Sequence, residues 1–571
     1  MNTAPEPKAV SLLISCGTRS TEGNRTGAWR FVRPVAAEKT APCSAACPAG
    51  QNIAAVEMLA AQGRWAEAAQ AILMESPFPS VCGRVCYHPC ESACNRGRFD
   101  EAVSVSHVER RIGDLAGKQE VGRFAGVAEP VRVAVIGAGP AGLSAAYFLA
   151  RLGHHCRVFE ASASPGGLAR WGIPSYRLPE ADLQRDLDRI DALGVQYDFN
   201  TRLDAAAVER LAAEYDALFF ACGQNRPLPL AIEGEAHAVD GIGFLAALRA
   251  GSPPRIGGSV AVIGGGNTAV DTARCLMRMG AQPVIVYRRR QEDMPAFAPE
   301  VAMALEEGVA LHTCRAPVRM AVRGDRIAAV FVRTKVVGTG PGGRARVAPV
   351  DGSETVSVFD AVVSAVGAGT GAAFCAPQGA RDLGHCRAAF GTPLRIWGGD
   401  VTNANRSVAD AVGSGKAAAL AVDAFFSSGA DAVESAFAGC RVGGGPALSF
   451  ERYVGGRRQD QSKKVVDYED LRSDYFTPAP RAVAPVRPAK ERKSGFSEAV
   501  EGLTAAAAQQ EAGRCFNCGI CNDCDNCRVF CPDMAVTADE AGRRFLLDFC
   551  KGCGICASEC PRCALDLSEE P

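Results

Sequence analysis

Residues 131–150 read VRVAVIGAGPAGLSAAYFLA. The apolar run at 131–136 predicts a buried strand, Gly137, Gly139 and Gly142 follow as GxGxxG, and an alanine-rich helix begins at once. Glycines at this spacing allow a tight turn and let the backbone approach a pyrophosphate at a helix N-terminus. The next strand, 156–160, ends in Glu160. An acid in that place accepts a hydrogen bond from a ribose hydroxyl and repels a 2′-phosphate. Strand, turn, helix and acid together predict an α/β chain with a Rossmann-like dinucleotide site.

A looser copy of the pattern lies downstream. SVAVIGGGNTAVDTARCLMRMG carries Gly264, Gly265, Gly266, Asn267 and Thr268 after a strand at 260–263, with Ala269 near the place of the third glycine. The following strand, 283–287, runs into Arg288, Arg289 and Arg290 where an acid would favour NAD. Arginine pairs with a 2′-phosphate, so the second site is predicted to take NADPH; the plainer reading is a solvated basic strand end. Cys275 stands alone there, with no CxxC for a dithiol route.

The C-terminus carries two copies of CxxCxxCxxxCP. Cys521, Cys524, Cys527 and Cys531 precede Pro532; Cys550, Cys553, Cys556 and Cys560 precede Pro561. In this spacing three thiolates bind one cubane iron–sulfur cluster and the fourth reaches the other, so two [4Fe–4S] clusters are expected. Cys515 and Cys518 offer an alternative register with Cys521; the later register is preferred because it alone ends three residues before a Cys-Pro. The extra pair reads equally as spare ligands or buried thiols, and Cys563 also lies outside the motif.

The remaining composition narrows the class. The chain has 571 residues, 47% apolar, with net charge −1, 25 cysteines and seven histidines. That length suggests three or four domains. The near-zero charge argues against a broad nucleic-acid or anionic-membrane surface. No apolar run reaches the ~18 residues of a membrane span, and the first residues lack a basic leader. Many cysteines without a secretion signal point to the reducing cytoplasm and to metal binding rather than disulfides. Histidines show no metal-ligand spacing, and no GxSxG, HExxH or Walker A motif occurs. Residues 476–495 are rich in Pro, Ala and Arg and read as an extended surface linker.

Several stretches carry a resemblance to the small subunit of glutamate synthase and its flavoprotein relatives, including the N-terminal part of dihydropyrimidine dehydrogenase. PCSAACPAG at 42–50 and CGRVCYHPCESAC at 82–94 resemble the family's N-terminal cluster segment. GGLARWGIPSYRLP at 166–179 resembles its flavin loop, VIGGGNTAVD at 262–271 with YRRR at 287–290 its NADP site, and GGDVTNANRSVADAVGSGKAAA at 398–419 its flavin-closing turn and helix. The match covers about 40–430.

The resemblance implies FAD at the first site, with Gly167 and Leu168 in the flavin loop, Gly399 and Asp400 near the ribityl and phosphate portion, and Val408 opening the closing helix. It implies an FAD domain at 131–250 and 360–428, split by an NADPH domain at 255–355. A helical iron–sulfur domain is expected at 41–125 after an irregular segment 1–40, then a linker region 429–510 and a two-cluster ferredoxin-like domain at 511–571. Among Cys43, Cys47, Cys82, Cys86, Cys90 and Cys94, the resemblance gives Cys47, Cys86 and Cys90 to one cluster, with Glu109 as fourth ligand. Cys43 and Cys94, with or without Cys82, would remain from a second cluster. The family's upstream CxxC is missing, and Lys39 and Thr40 stand before the surviving pair. One cluster, two clusters, or zinc all remain open for these six thiols. The fused tail is similar to that of the electron-input flavoproteins of anaerobic benzoyl-CoA reduction.

The expected activity is an NADPH-linked, FAD-dependent iron–sulfur oxidoreductase that exchanges electrons with ferredoxin or a partner reductase. Hydride transfer from NADPH to FAD needs no catalytic acid or base. Two alternatives stand beside it: the electron-input subunit of a glutamate synthase, and a zinc-stapled nucleotide-binding interaction protein. Oligomerisation is left open.

Overall fold

The computed structural model describes residues 25–116, 119, 121–124, 129–340, 343–371, 373–377, 379–539 and 542–570. Two parallel sheets carry the architecture. The first has seven strands in the order Arg381–Asp382, Cys386–Ala389, Leu394–Gly398, Ala217–Phe220, Arg132–Ile136, His155–Phe159 and Gln196–Asp198. The last five are mutually parallel; the first two form an antiparallel edge. Parallel strands covered on both faces read as continuous apolar runs, and 133–136 and 217–220 are buried throughout.

The second sheet has five parallel strands, in the order Ala310–His312, Gln282–Val286, Ser259–Ile263, Ala361–Ser364 and Val239–Asp240. The start of the segment 360–428 expected in the FAD domain therefore forms a strand, 361–364, in the other sheet, beside 259–263. Likewise 239–240 belongs to the second sheet rather than to the 131–250 block. Four buried apolar residues announce a strand but not its neighbour, so both boundaries shift: the second sheet spans 239–364. A four-stranded antiparallel layer built from Arg315–Arg323, Arg326–Thr339, Ala345–Pro349 and Thr355–Phe359 covers it. Met320, Ala329 and Phe331 of that layer pack on Ala261, Ile263, Val284 and Val286.

Helix Val408–Ser428 lies along helix Pro140–Leu152. The approach is so close that a Cβ on Gly415 would stand 2.3 Å from the Ala141 carbonyl oxygen. Ahead of the first sheet, helices Ile53–Ala61, Trp65–Glu75, Pro79–Val85 and Val105–Leu115 form a small bundle. The helix Ala505–Gly513 completes it: Ala512 is buried with Val56, Ala60, Val108 and Ile112.

Three expected boundaries change with these contacts. Part of the segment 1–40 is ordered, because strand Val32–Ala36 pairs antiparallel with Leu565–Glu569 at the C-terminus; residues 1–24 lie outside the described residues. The linker region 429–510 contains helices Ala430–Cys440 and Phe450–Tyr453 and buries Arg492 against Glu306 and Glu307. The start of the last domain at 511 falls inside a helix, so the terminal segment is woven into the N-terminal bundle. Among the described residues no helix is long and apolar enough to cross a membrane.

Candidate functional site

The first glycine turn is built as a cradle. Gly137 has φ +108°, and a Cβ there would stand 2.5 Å from Ala221 O; a Cβ on Gly142 would stand 1.9 Å from Gly137 O. Gly139 differs: a Cβ there meets nothing nearer than Gly167 Cα at 4.0 Å, so the space in front of it is open. This is a closed turn with an open face at the start of a 13-residue helix, where backbone N–H groups and the helix dipole favour a pyrophosphate. Glu160 accepts from Ala138 N at 2.7 Å and Ser162 N at 2.8 Å, which holds its carboxylate at the lip of the turn.

The residues named from the flavin loop and closing helix gather at the same edge. A Cβ on Gly167 would meet Gly139 Cα at 2.7 Å, and one on Gly399 would meet Ala141 Cβ at 2.8 Å. Leu168 follows Gly167 as the first residue of a short helix. Gly399 N donates to Ser414 Oγ at 2.7 Å, and Gln224 donates to Asp400 O at 2.8 Å. Burial lifts the Asp400 carboxyl to about 6. Ser407 caps the helix that opens at Val408 by accepting from Asp410 N. These residues fit FAD: a glycine cradle for phosphates, an acid for a ribose, and a second helix start facing it.

In the second sheet, Gly264 has φ +149° and packs against Ala365 O, while Gly265 packs against the Tyr287 ring. Gly266 faces open space at the N-terminus of helix Asn267–Arg278, where Thr268 is the second residue. Asn267 Oδ1 accepts from Phe297 N. The three arginines are not equivalent. Arg290 is held by Glu292 and Asp293, and Arg289 donates to Ala345 O at 2.6 Å. Arg288 is exposed, and among the described residues its guanidinium has no partner. Sequence reading did not foresee the brace between the two dinucleotide sites. Arg177 and Tyr176 of the 166–179 loop reach Asp271 on helix 267–278, at 2.8 and 3.3 Å. That loop thus touches both domains at once.

The cysteines fall into several groups, two of which adjoin where Cys90 neighbours Cys43. Cys47, Cys82, Cys86 and Cys90 lie near one another, with Glu109 alongside the first three. Glu109 accepts from Gln51 Nε2 at 2.8 Å, and burial pushes its carboxyl to about 7. Cys82 therefore stands on the Cys47 side and not with Cys43 and Cys94. Tyr87 and Cys86 neighbour Asp410, which places this group against the first turn of the 408–428 helix. Cys43 and Cys94 face Cys515 and Cys518 instead. Nearby Glu57 is buried, and neither carboxylate oxygen has a hydrogen-bond partner among the described residues.

At the C-terminus Cys527 neighbours Cys521, Cys524 and Cys560, whereas Cys531, Cys550, Cys553 and Cys556 line one small cavity. The fourth cysteine of each run thus sits with the other run, as the spacing demands. Ala535 N donates to Cys531 Sγ and Ala564 N to Cys560 Sγ, each at 3.3 Å, so the two halves repeat one local geometry. A single metal ion gathers its ligands about one point, and among the described residues no three His, Cys, Asp or Glu do so. Ligands of a four-iron cube stand outside its corners, each on its own iron. Burial raises the thiol pKa of Cys47 and Cys518, so a thiolate at either place is stabilised by a bound cation.

Two dinucleotide cradles joined by a shared loop, with cysteine groups packed against one of them, define a flavin- and nucleotide-linked electron-transfer protein. Residues 131–374 match the pyridine nucleotide-disulphide oxidoreductase family, and 33–121 match the family described as dihydropyrimidine dehydrogenase domain II, 4Fe-4S cluster. The chain is 33% identical over 520 residues to the NADP(+)-dependent formate dehydrogenase subunit beta of Moorella thermoacetica, covering 84% of this chain and 70% of that one. It is 32% identical over 528 residues to the NADPH-Fe(3+) oxidoreductase subunit beta of Geobacter sulfurreducens, covering 84% and 75%. It is also 32% identical over 358 residues to the glutamate synthase [NADPH] small chain of Escherichia coli, covering 57% and 73%. The chain belongs to this glutamate synthase small-chain-like family of NADPH-dependent oxidoreductases, whose cofactors are FAD, NADP(H) and [4Fe–4S] clusters.

Proposed function

We propose that this chain draws electrons from NADPH and delivers them through iron–sulfur clusters to ferredoxin or an iron–sulfur partner enzyme, as the flavoprotein subunit of a larger assembly. The observation that carries this reading is the continuity of the groups. The Cys47 group touches the turn of the 408–428 helix beside the first cradle, and the chain runs from Cys518 directly into Cys521.

Gly137, Gly139, Gly142, Gly167, Leu168, Glu160, Gly399, Asp400 and Val408 bind FAD in a domain built on the first sheet. Gly264, Gly265, Gly266, Asn267, Thr268, Arg288 and Arg289 bind NADPH in the 239–364 domain. FAD, when bound, takes an electron pair as hydride and releases single electrons, which clusters require. The chain's own part is alignment: Arg177 and Tyr176 on Asp271 hold the 166–179 loop against the nucleotide domain and so set the distance between the two cradles. Cys47, Cys86, Cys90 and Glu109 hold one cluster. Cys521, Cys524, Cys527 and Cys560 hold another, and Cys550, Cys553, Cys556 and Cys531 a third. The E. coli similarity favours a second reading as a glutamate synthase input subunit, but that reading gives no task to residues 520–570.

Anaerobic mixing with NADPH tests the proposal. The flavin band should bleach first and the broad cluster absorbance afterwards, and the reduced protein should then reduce a two-cluster ferredoxin. A flavin that stays oxidised under NADPH refutes the reading.

Arg288→Ala should raise the KM for NADPH by about 10- to 100-fold, the worth of one charged hydrogen bond to phosphate, and leave that for NADH nearly unchanged. Arg290→Ala, whose guanidinium is already spent on Glu292 and Asp293, should change both little. Equal losses for the two nucleotides in Arg288→Ala would remove the 2′-phosphate assignment.

A further inference from the structure

We infer that Cys43 and Cys94 of the N-terminal bundle and Cys515 and Cys518 of the C-terminal segment together hold one further [4Fe–4S] cluster. The C-terminal pair stands in for the CxxC that this chain lacks ahead of Cys43. The inference rests on the electron-transfer reading above in taking the protein to carry clusters. The ligand set itself comes from what the fold brings together.

Residues 511–519 are bound on both sides by the segments that carry Cys43 and Cys94. On the Cys94 side, Asn95 Nδ2 donates to Cys518 Sγ at 3.6 Å. Arg514 reaches Asp100 Oδ1 at 3.1 Å and Glu101 O at 2.7 Å, and Arg96 donates to Arg514 O. Phe516 stacks edge-on against Phe99 at 5.6 Å. Asn517 Nδ2 donates to Ala54 O at 3.0 Å in the bundle.

On the Cys43 side, Lys39 N donates to Gly519 O at 2.8 Å. The Lys39 side chain is 1% exposed and binds Cys563 O at 2.7 Å and Asp566 at 2.9 Å. Thus, where relatives of this fold are expected to carry their own CxxC, this chain carries a buried lysine latch. The backbone N–H of that lysine holds Gly519, one residue past the substitute pair, while its ammonium ties down 563–566.

The local geometry of the pair is that of a cluster loop. Asn517 has φ +50° and donates its N–H to Cys515 Sγ at 3.4 Å. In the Cys47 group, His88 has φ +48° and donates its N–H to Cys86 Sγ at 3.4 Å. Each turn bends the chain so that a backbone dipole points at sulfur, a contact that stabilises a thiolate. Cys43 and Cys518 are buried, and the thiols of Cys94 and Cys515 neighbour them. Cys43 of this fourth site neighbours Cys90 of the Cys47 group, and Cys518 stands three residues before Cys521, so the site adjoins both the flavin side and the terminal module.

Iron counting on anaerobically purified full-length protein tests the inference. The wild type should hold about 16 irons, and Cys515→Ala, Cys518→Ala and Cys43→Ala should each lose about four while keeping FAD. The double variant Cys43→Ala/Cys515→Ala should lose the same four. A loss of about eight would assign Cys515 to the terminal module and overturn the inference; unchanged iron in Cys515→Ala/Cys518→Ala would do the same. If the alanine variants do not fold, Cys515→Asp and Cys43→Asp keep a ligand, and both should alter the same electron paramagnetic resonance signal of the reduced protein. Changes in two different signals would refute the shared cluster. Failure of NADPH to bleach the flavin leaves these counts untouched, so the two proposals fail separately.

Discussion

Gly142→Ala is expected to yield protein that purifies almost free of FAD. The added Cβ would lie 1.9 Å from Gly137 O and 3.1 Å from Val135 Cγ1, both rigidly held. Strand 132–136 is the middle one of the five parallel strands of its sheet and helix 140–152 is clamped by helix 408–428, so the clash has no flexible side chain to absorb it. The helix must lift from the strand, which costs about 1–3 kcal/mol of stability and carries the N-terminal N–H groups away from the pyrophosphate. A loss of about 3 kcal/mol in binding is on the order of 100-fold in affinity. Gly139→Ala is the informative partner. Its Cβ points into open space, so the fold should melt at the wild-type temperature while FAD is still lost to steric conflict with the ligand. The flavin-to-protein absorbance ratio and thermal unfolding together read both effects. Stoichiometric FAD in both variants would show that the turn is not the phosphate cradle.

What sequence made legible follows from how local each signal is. The 131–142 turn with Glu160, and the two CxxCxxCxxxCP runs, are each written within 30 to 40 residues, and the structure brings Glu160 to the turn and lets the two runs exchange their fourth cysteines. The segment 360–428 was read as one piece with the FAD domain, but its first strand, 361–364, joins the other sheet. Pairing with 259–263 is decided by a contact about 100 residues away. Residues 476–495 read as linker because Pro, Ala and Arg are frequent there, yet Arg492 is buried by Glu306 and Glu307, partners that no local pattern reveals. The two anomalies of the cysteine pattern, a CxxC missing before Cys43 and a CxxC in excess at Cys515, were each visible. Only the latch at Lys39 and the docking of helix 505–513 show that they answer one another.

Glu75→Ala should be the most destabilising single change away from the cradles, and it should slow electron flow into the clusters without slowing flavin reduction. Glu75 ends helix 65–75 and is 1% exposed; Lys416, with no exposure, and Arg458 both bind it, with Phe450 N at 2.8 Å and Ser449 Oγ. The same Lys416 donates to Ala49 O at 2.6 Å and Leu448 O at 3.1 Å, and Arg458 donates to Gly50 O at 2.5 Å. The Cys47 loop thus hangs from two cations that one carboxylate neutralises. Removing it strands two buried charges, a cost of about 3–5 kcal/mol. Burial already holds the Lys416 pKa below its ordinary value. A cation with a lowered folded pKa opposes folding most below that value, and the opposition fades as pH rises toward the unfolded value of about 10.4. The deficit of Glu75→Ala should therefore shrink between neutral pH and pH ~10, whereas a plain packing defect would be flat with pH. Thermal unfolding across that range, with stopped-flow bleaching of the flavin and cluster bands, separates these outcomes. A variant that melts with the wild type at neutral pH would mean that the Lys416–Glu75–Arg458 group does not anchor the Cys47 loop.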